Sequence, residues 1–340
     1  MSETDDSREG RDLSDFIVEK DLTLTLDCIA GQPEAVEALR DLRDKIEWAP
    51  VYKHWAARKP RGILFEGLPG TGKSFAVRCM MSETQGTLIE MKYEDIASRY
   101  VDHSIQLLAK IKDEAEKEAK NNPVVIFIDE FDAMAPSRNT EGIHQSDRKR
   151  VNFLLKWMDG GLNSMQNITF IATTNFKLGI DMALLRPGRF DTIINFKEFK
   201  PEGVAAAFKI HAKISNAKAG RNLFLSTPEE IETQLDHKRL GKIKTGASVE
   251  AVVQLVLTEK AKQHQVNIEE LVKTTKEKNS ILTVNEVLTI VLNAHTESVP
   301  YLISLDDIYK AIDSFVVKED EKFKKEGRII RGFHKEELDV

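Results

Sequence analysis

The sequence predicts an α/β fold built on a parallel sheet, followed by a second, helical domain. Three observations carry that prediction. The run Val124-Val-Ile-Phe-Ile128 is continuously apolar, as expected of a strand buried on both faces of a parallel sheet. Strand-like segments alternate with helical periodicity as far as about residue 200. Beyond Pro201 the periodicity is almost wholly helical.

Residues 1 to about 20 are charged and poor in large apolar side chains, so they are expected to be disordered. Between 34 and 48, Val36, Leu39, Leu42 and Ile46 share one helical face. Gly62 to Gly67 reads as a strand and turn, with a helix from Lys73. Further strands are expected at 87–91, 124–128, 168–173 and 192–196, making five, with helices at 105–120 and 147–158. A domain boundary is placed near 200, giving a large α/β domain over 21–200. The helical domain covers 201–318, with helices at 205–214, 248–263, 284–294 and 305–315. Residues 319–340 form a charged tail, either a helix or a loose extension.

With 41 % apolar residues in 340, the chain can bury a sizeable core. Its net charge of −6 argues against a dedicated nucleic-acid protein. Arg148-Lys149-Arg150 is a short charge run that reads as a solvated helix face. Cys28 and Cys79 lack CxxC spacing and read as reduced thiols. The first fifteen residues are acidic and polar, unlike a signal peptide. No window approaches the ~18 apolar residues that a membrane-spanning helix needs. The expectation is a soluble, cytoplasmic protein with no membrane segment.

Gly67-Leu-Pro69-Gly70-Thr71-Gly72-Lys73-Ser74 satisfies GxxxxGK[ST] in full, between an apolar strand and a helix. Such glycines let backbone N–H groups converge on phosphates, toward which the next helix turns its positive end. A lysine at Lys73 reaches the β/γ oxygens, and a hydroxyl at Ser74 ligates Mg²⁺. The expected ligands are ATP and Mg²⁺.

Asp129-Glu130 ends the apolar strand. A carboxylate at Asp129 can hold Mg²⁺ opposite Ser74, and one at Glu130 can polarise the attacking water. Asp132 reads as helix capping or solvation. The next strand ends in Thr174-Asn175, where an amide can position water or sense the γ-phosphate. An asparagine there is also ordinary turn chemistry.

Asn175 belongs to the stretch Thr174-Asn-Phe-Lys-Leu-Gly-Ile-Asp181-Met-Ala183-Leu-Leu-Arg186-Pro-Gly188-Arg189-Phe-Asp191. It resembles the second region of homology of the classical AAA ATPases, within the AAA+ superfamily; the loop and the Asp-Glu strand extend the resemblance. The resemblance covers about Asp27 to Phe315. It implies an AAA+ core with a five-stranded parallel sheet, a C-terminal helical lid, and a homo-oligomeric ring, most often a hexamer. Arg186 and Arg189 match the paired arginine fingers that reach a neighbour's γ-phosphate. Asn175 matches sensor 1, and Lys73, Asp129 and Glu130 keep their usual roles. The nucleotide-binding set implied by the resemblance also takes in Phe75, and Ala30 and Gly31 of a segment passing the adenine. His211 resembles a histidine near the ribose and base. Gly246 and Ala247 keep the small residues that approach the nucleotide, while Ser248 replaces an aspartate and can still cap the helix.

Ala97-Ser-Arg99-Tyr100-Val101-Asp102-His103 resembles the family's first pore loop, with Tyr100 and Val101 as the aromatic-aliphatic pair. Asp102 stands in place of the family's glycine. Gly142 to Gln145 resembles a second pore loop. Residues 265–300 read as an extra helical insertion. No HExxH occurs in these residues, so the family's zinc-protease branch is not expected as an active protease here. The implied function is ATP hydrolysis coupled to remodelling of protein substrates threaded past Tyr100. A nucleic-acid-linked motor and a non-hydrolysing regulatory assembly are the alternatives. No N-terminal substrate domain is recognisable, which leaves the substrate or adaptor open.

Overall fold

The computed structural model describes residues 13–55, 57, 61–96, 101–137, 144–160, 167–278 and 302–336. It forms two compact units, Met1–Glu198 and Phe199–Val340. In the first, strands β1 (Gly62–Gly67), β2 (Thr87–Met91), β3 (Val124–Ile128), β4 (Ile168–Thr174) and β5 (Phe190–Phe196) form one sheet. All neighbours are parallel, in the order β2-β3-β4-β1-β5. Parallel strands need crossovers. Helices α1 (Pro33–Glu47), α2 (Ala49–His54), α3 (Lys73–Ser82), α4 (Tyr93–Ile96), α5 (Val101–Glu118), α6 (Phe131–Met134) and α7 (Gln145–Asp159) occupy the first unit with the strands.

The period of two along each strand divides the core. Ile63, Phe65, Val125, Phe127 and Ile171 pack with α1 and α3. Leu64, Ile126, Ile128, Phe170 and Ala172 pack with α5 and α7. Every residue of β3 is buried, as its continuous apolar run required, and so is every residue of β4. The edge strand β5 alternates instead, with Ile194 and Phe196 inward and Ile193 and Asn195 exposed.

The expected disorder up to about residue 20 does not hold for residues 13–20. Phe16 is 3 % exposed and joins the core beside Ile89. Glu90 N–H donates to Phe16 O at 2.9 Å and Val18 N–H to Leu88 O at 3.0 Å. One apolar side chain and these two bonds cover the outer edge of β2, which would otherwise present unpaired groups.

The second unit contains α8 (Pro201–Ala219), α9 (Pro228–Gln234), α10 (His237–Leu240), α11 (Gly246–Lys278) and α12 (Leu305–Glu336). Proline opens α8, and Gly220, at φ +65°, closes it in the left-handed conformation. A reciprocal Thr227–Glu230 capping box starts α9, a helix the periodicity did not suggest. At α11 it is the Thr245 hydroxyl that accepts from Ser248 N–H, at 3.2 Å, so Thr245 supplies the cap expected of Ser248. The helix continues to Lys278, inside the range read as an insertion, and α12 runs on into the charged tail as far as Glu336. The helix expected at 284–294 lies outside the described residues.

Candidate active site

In a parallel α/β sheet the carboxyl ends of the strands form the binding edge. Here β1, β3 and β4 deliver the loop Gly67–Ser74, Asp129-Glu130 and Asn175 to that edge. The loop requires glycine for two different reasons. A Cβ on Gly67 would stand 2.2 Å from Phe196 O, a clash with the β5 backbone. Gly70 and Gly72 sit at φ +76° and +96°, where side chains are strained. Thr71 closes the turn by donating to Leu68 O at 2.7 Å.

Lys73, only 7 % exposed, aims its amine back into the loop. The Nζ donates to Gly67 O at 2.8 Å, Leu68 O at 2.9 Å and Asn175 Oδ1 at 2.8 Å. Burial holds its pKa below the usual lysine range, and Asp129 and Asp132 oppose that shift. Lys73 and Asn175, 102 residues apart, are thus brought into direct contact.

The Ser74 hydroxyl lies 3.1 Å and 2.9 Å from the two Asp129 oxygens. Thr173 also donates to Asp129 Oδ1. A hydroxyl facing a fixed carboxylate is a hard-oxygen donor set, which suits Mg²⁺. Next to this held group, Glu130 is exposed and left-handed, at φ 51° and ψ 52°. It is the one non-glycine residue with positive φ among those described. Such strain costs about 1–3 kcal/mol and clusters at functional sites. Glu130 N–H is held by Thr173 Oγ1 at 3.3 Å and Asp129 Oδ1 at 3.1 Å. Thr173 is therefore the joint between the two acids, and the sequence reading missed it; its only signal is its place at the end of a buried strand. Asp132 accepts from Thr174 at 2.6 Å, a structural bond rather than a free carboxylate.

The two arginines differ. Arg186 is exposed. Arg189 donates from Nε and Nη2 to Asp159 at 2.9 Å and 2.6 Å, and from Nη1 to Ala183 O at 2.5 Å. These bonds tie Arg189 to the end of α7 and to the turn that carries Arg186.

Ala30 and Gly31 precede α1, and Gly31 has φ +69°. Gln32 fixes this segment by donating to Lys197 O at 2.6 Å and accepting from Lys197 N–H at 3.0 Å. Phe75 packs against the α1–α3 side of the core. In the second unit, burial lowers the pKa of His211, and Gly246 and Ala247 begin α11. Tyr100 and Gly142 lie outside the described residues; Val101 begins α5. No helix among the described residues is long and apolar enough to cross a membrane.

Residues 63–198 match the model of the ATPase family associated with various cellular activities (AAA). The curated relatives include ATP-dependent zinc metalloproteases FtsH. FtsH 2 of Thermoanaerobacter sp. (strain X514) is 34 % identical over 190 residues, 56 % of this chain and 36 % of the relative. FtsH 3 of Symbiobacterium thermophilum is 32 % identical over 206 residues, 60 % of this chain and 32 % of the relative. FtsH of Lancefieldella parvula is 29 % identical over 285 residues, 82 % of this chain and 42 % of the relative. The chain thus spans between about a third and two fifths of these relatives' length. The family match covers the whole edge that carries Lys73, Asp129, Glu130 and Asn175, and its architecture supports ATP hydrolysis. Residues 63–198 of this chain are an AAA ATPase domain.

Proposed function

We propose that this chain hydrolyses ATP and uses the energy to remodel protein substrates threaded through the pore of a ring, most simply a homohexamer. The observation that carries the reading is the meeting of Lys73, Ser74, Asp129, Glu130 and Asn175 at one sheet edge. The loop N–H groups and Lys73 hold the phosphates of ATP. Ser74 and Asp129 hold Mg²⁺, which when bound neutralises charge on the phosphate oxygens. Asp129 is engaged by Ser74 and Thr173, so it serves poorly as a base. Glu130, exposed beside it, polarises the attacking water, and Asn175 orients it.

In this reading Arg186, exposed on its turn, acts on a neighbour's γ-phosphate. Arg189, anchored on Asp159, holds the turn that presents it. Tyr100 and Val101 grip the polypeptide. The printed name of the FtsH relatives, "ATP-dependent", agrees with ATP use. Their zinc-protease activity is not carried over, because these residues contain no HExxH.

The test is ATP turnover with and without an unfolded polypeptide such as casein, in wild type and Tyr100→Ala. Stimulation that is lost in Tyr100→Ala supports threading. An ATPase indifferent to polypeptide and to Tyr100 rejects it. A pull-down with Glu130→Gln in ATP then identifies what is held.

A further inference from the structure

Arg150 sits where an apolar side chain is expected. The inward stripe of α7 is Arg150, Val151, Leu154, Trp157 and Met158, and Arg150 is 2 % exposed. This overturns the reading of Arg148-Lys149-Arg150 as a wholly solvated face: Arg148 and Lys149 are exposed, and Arg150 is inside. Burying a guanidinium is costly unless it is paired and hydrogen-bonded. Nη2 of Arg150 pairs with Asp147, one turn back, while its Nε has no hydrogen-bond partner. The guanidinium also lies over the ring of Tyr93, 5.2 Å from its centroid. A leucine would fill the same stripe without leaving Nε unsatisfied, so packing alone does not explain the residue.

The position of the three groups does. Tyr93 opens α4, which ends at Ile96, ahead of the segment containing Tyr100. Asp147 lies in the first turn of α7 and accepts from His144 N–H at 3.0 Å, so it fixes the point where the chain enters that helix. Arg150 is the side chain that touches both ends.

We infer that Arg150 is a positioning residue that ties the start of α7 to α4 through Asp147 and Tyr93, so that polypeptide engagement at one is transmitted to the other. The inference rests on the remodelling function proposed above. A cation over a tyrosine face resists displacement more than apolar contact does, because the ring quadrupole attracts it, the more so once it is out of water. The Asp147 pair aims the planar guanidinium at that ring.

The test uses the full chain with Arg150→Met, Tyr93→Leu and the double variant. Amide hydrogen exchange is expected to rise roughly tenfold at both 93–96 and 144–148 in each single variant. The double variant should be no faster than Arg150→Met alone, since the Arg150–Tyr93 contact is already lost there. Basal ATP turnover should stay within about twofold, while stimulation by casein falls roughly fivefold or more. Exchange that rises only within α7, or effects that add in the double variant, overturns the tie. Basal and stimulated turnover falling in proportion overturns its role in transmission. If Arg150→Met does not fold, Tyr93→Leu carries the same readouts from a half-buried site. A wild type that casein does not stimulate rejects the remodelling function instead, and the exchange pattern alone then decides the tie.

Discussion

The guanidinium of Arg189 closes a two-pronged ion pair on Asp159 of the same chain, at 2.9 Å and 2.6 Å. Asp159 ends α7 and Arg189 immediately precedes β5, so the pair joins two segments 30 residues apart at the foot of the turn carrying Arg186. The side chains are 19 % and 54 % exposed, which limits the energy of the pair despite its geometry. Arg189→Ala and Asp159→Ala are each expected to cost about 1 kcal/mol of stability, a fall of a few degrees in melting temperature. Arg186→Ala should leave the melting temperature unchanged, keep ATP affinity within about threefold and reduce turnover at least ~100-fold. Calorimetry with ATP titration separates the two arginines.

The same pair has a pH signature. The hydrogen bonds from Arg189 hold the Asp159 carboxyl below its ordinary range. A depressed folded-state pKa adds stability above the unfolded value, about 3.9, and loses it as pH falls through the lower folded value. The melting-temperature gap between wild type and Asp159→Asn should therefore be full at pH 7 and shrink below about pH 4. Melting scans of both proteins over that range check it.

The left-handed backbone at Glu130 predicts an inverse relation between stability and activity. Glu130→Gly relieves strain of about 1–3 kcal/mol and adds an unfolded-state entropy cost of about 0.5–1 kcal/mol. The net expectation is equal or higher stability with turnover nearly abolished. Glu130→Ala keeps the strain and should show no such gain. Denaturant titration of the two variants beside wild type measures the difference.

Lys73 and Asn175 meet at 2.8 Å, yet their losses should differ. Lys73→Ala removes the buried cation that the proposed function sets on the phosphates and is expected to abolish ATP binding. Asn175→Ala should leave affinity within about threefold while lowering turnover at least ~10-fold, because the proposed function assigns its amide to the water. Fluorescent-nucleotide binding paired with steady-state turnover distinguishes them.

What was legible in the residues was local. The strands showed as apolar runs, and Gly67–Ser74 as a fixed spacing. Asp129, Glu130 and Asn175 stood out because they end strands, and strand ends share an edge in a parallel sheet. Contacts set by packing between distant segments were not legible. Thr173 reaches Asp129 across 44 residues, and no spacing marks it. Nothing in the sequence pairs Asp159 with Arg189, 30 residues on. Arg150 was hidden by its charged neighbours, since a run of three cations masks the one that turns inward. Phe16 escaped because a single apolar residue in a charged stretch carries no period, although one buried ring and two backbone bonds suffice to order it.

The assignment of Glu130 as the group that activates water is the centre of the account. Single-turnover hydrolysis of ATP by wild type and Glu130→Gln, with binding measured in the same preparations, tests it most directly. The expected result is ATP affinity within about threefold and a hydrolysis rate reduced at least ~100-fold. Equal hydrolysis rates in the two proteins would contradict it.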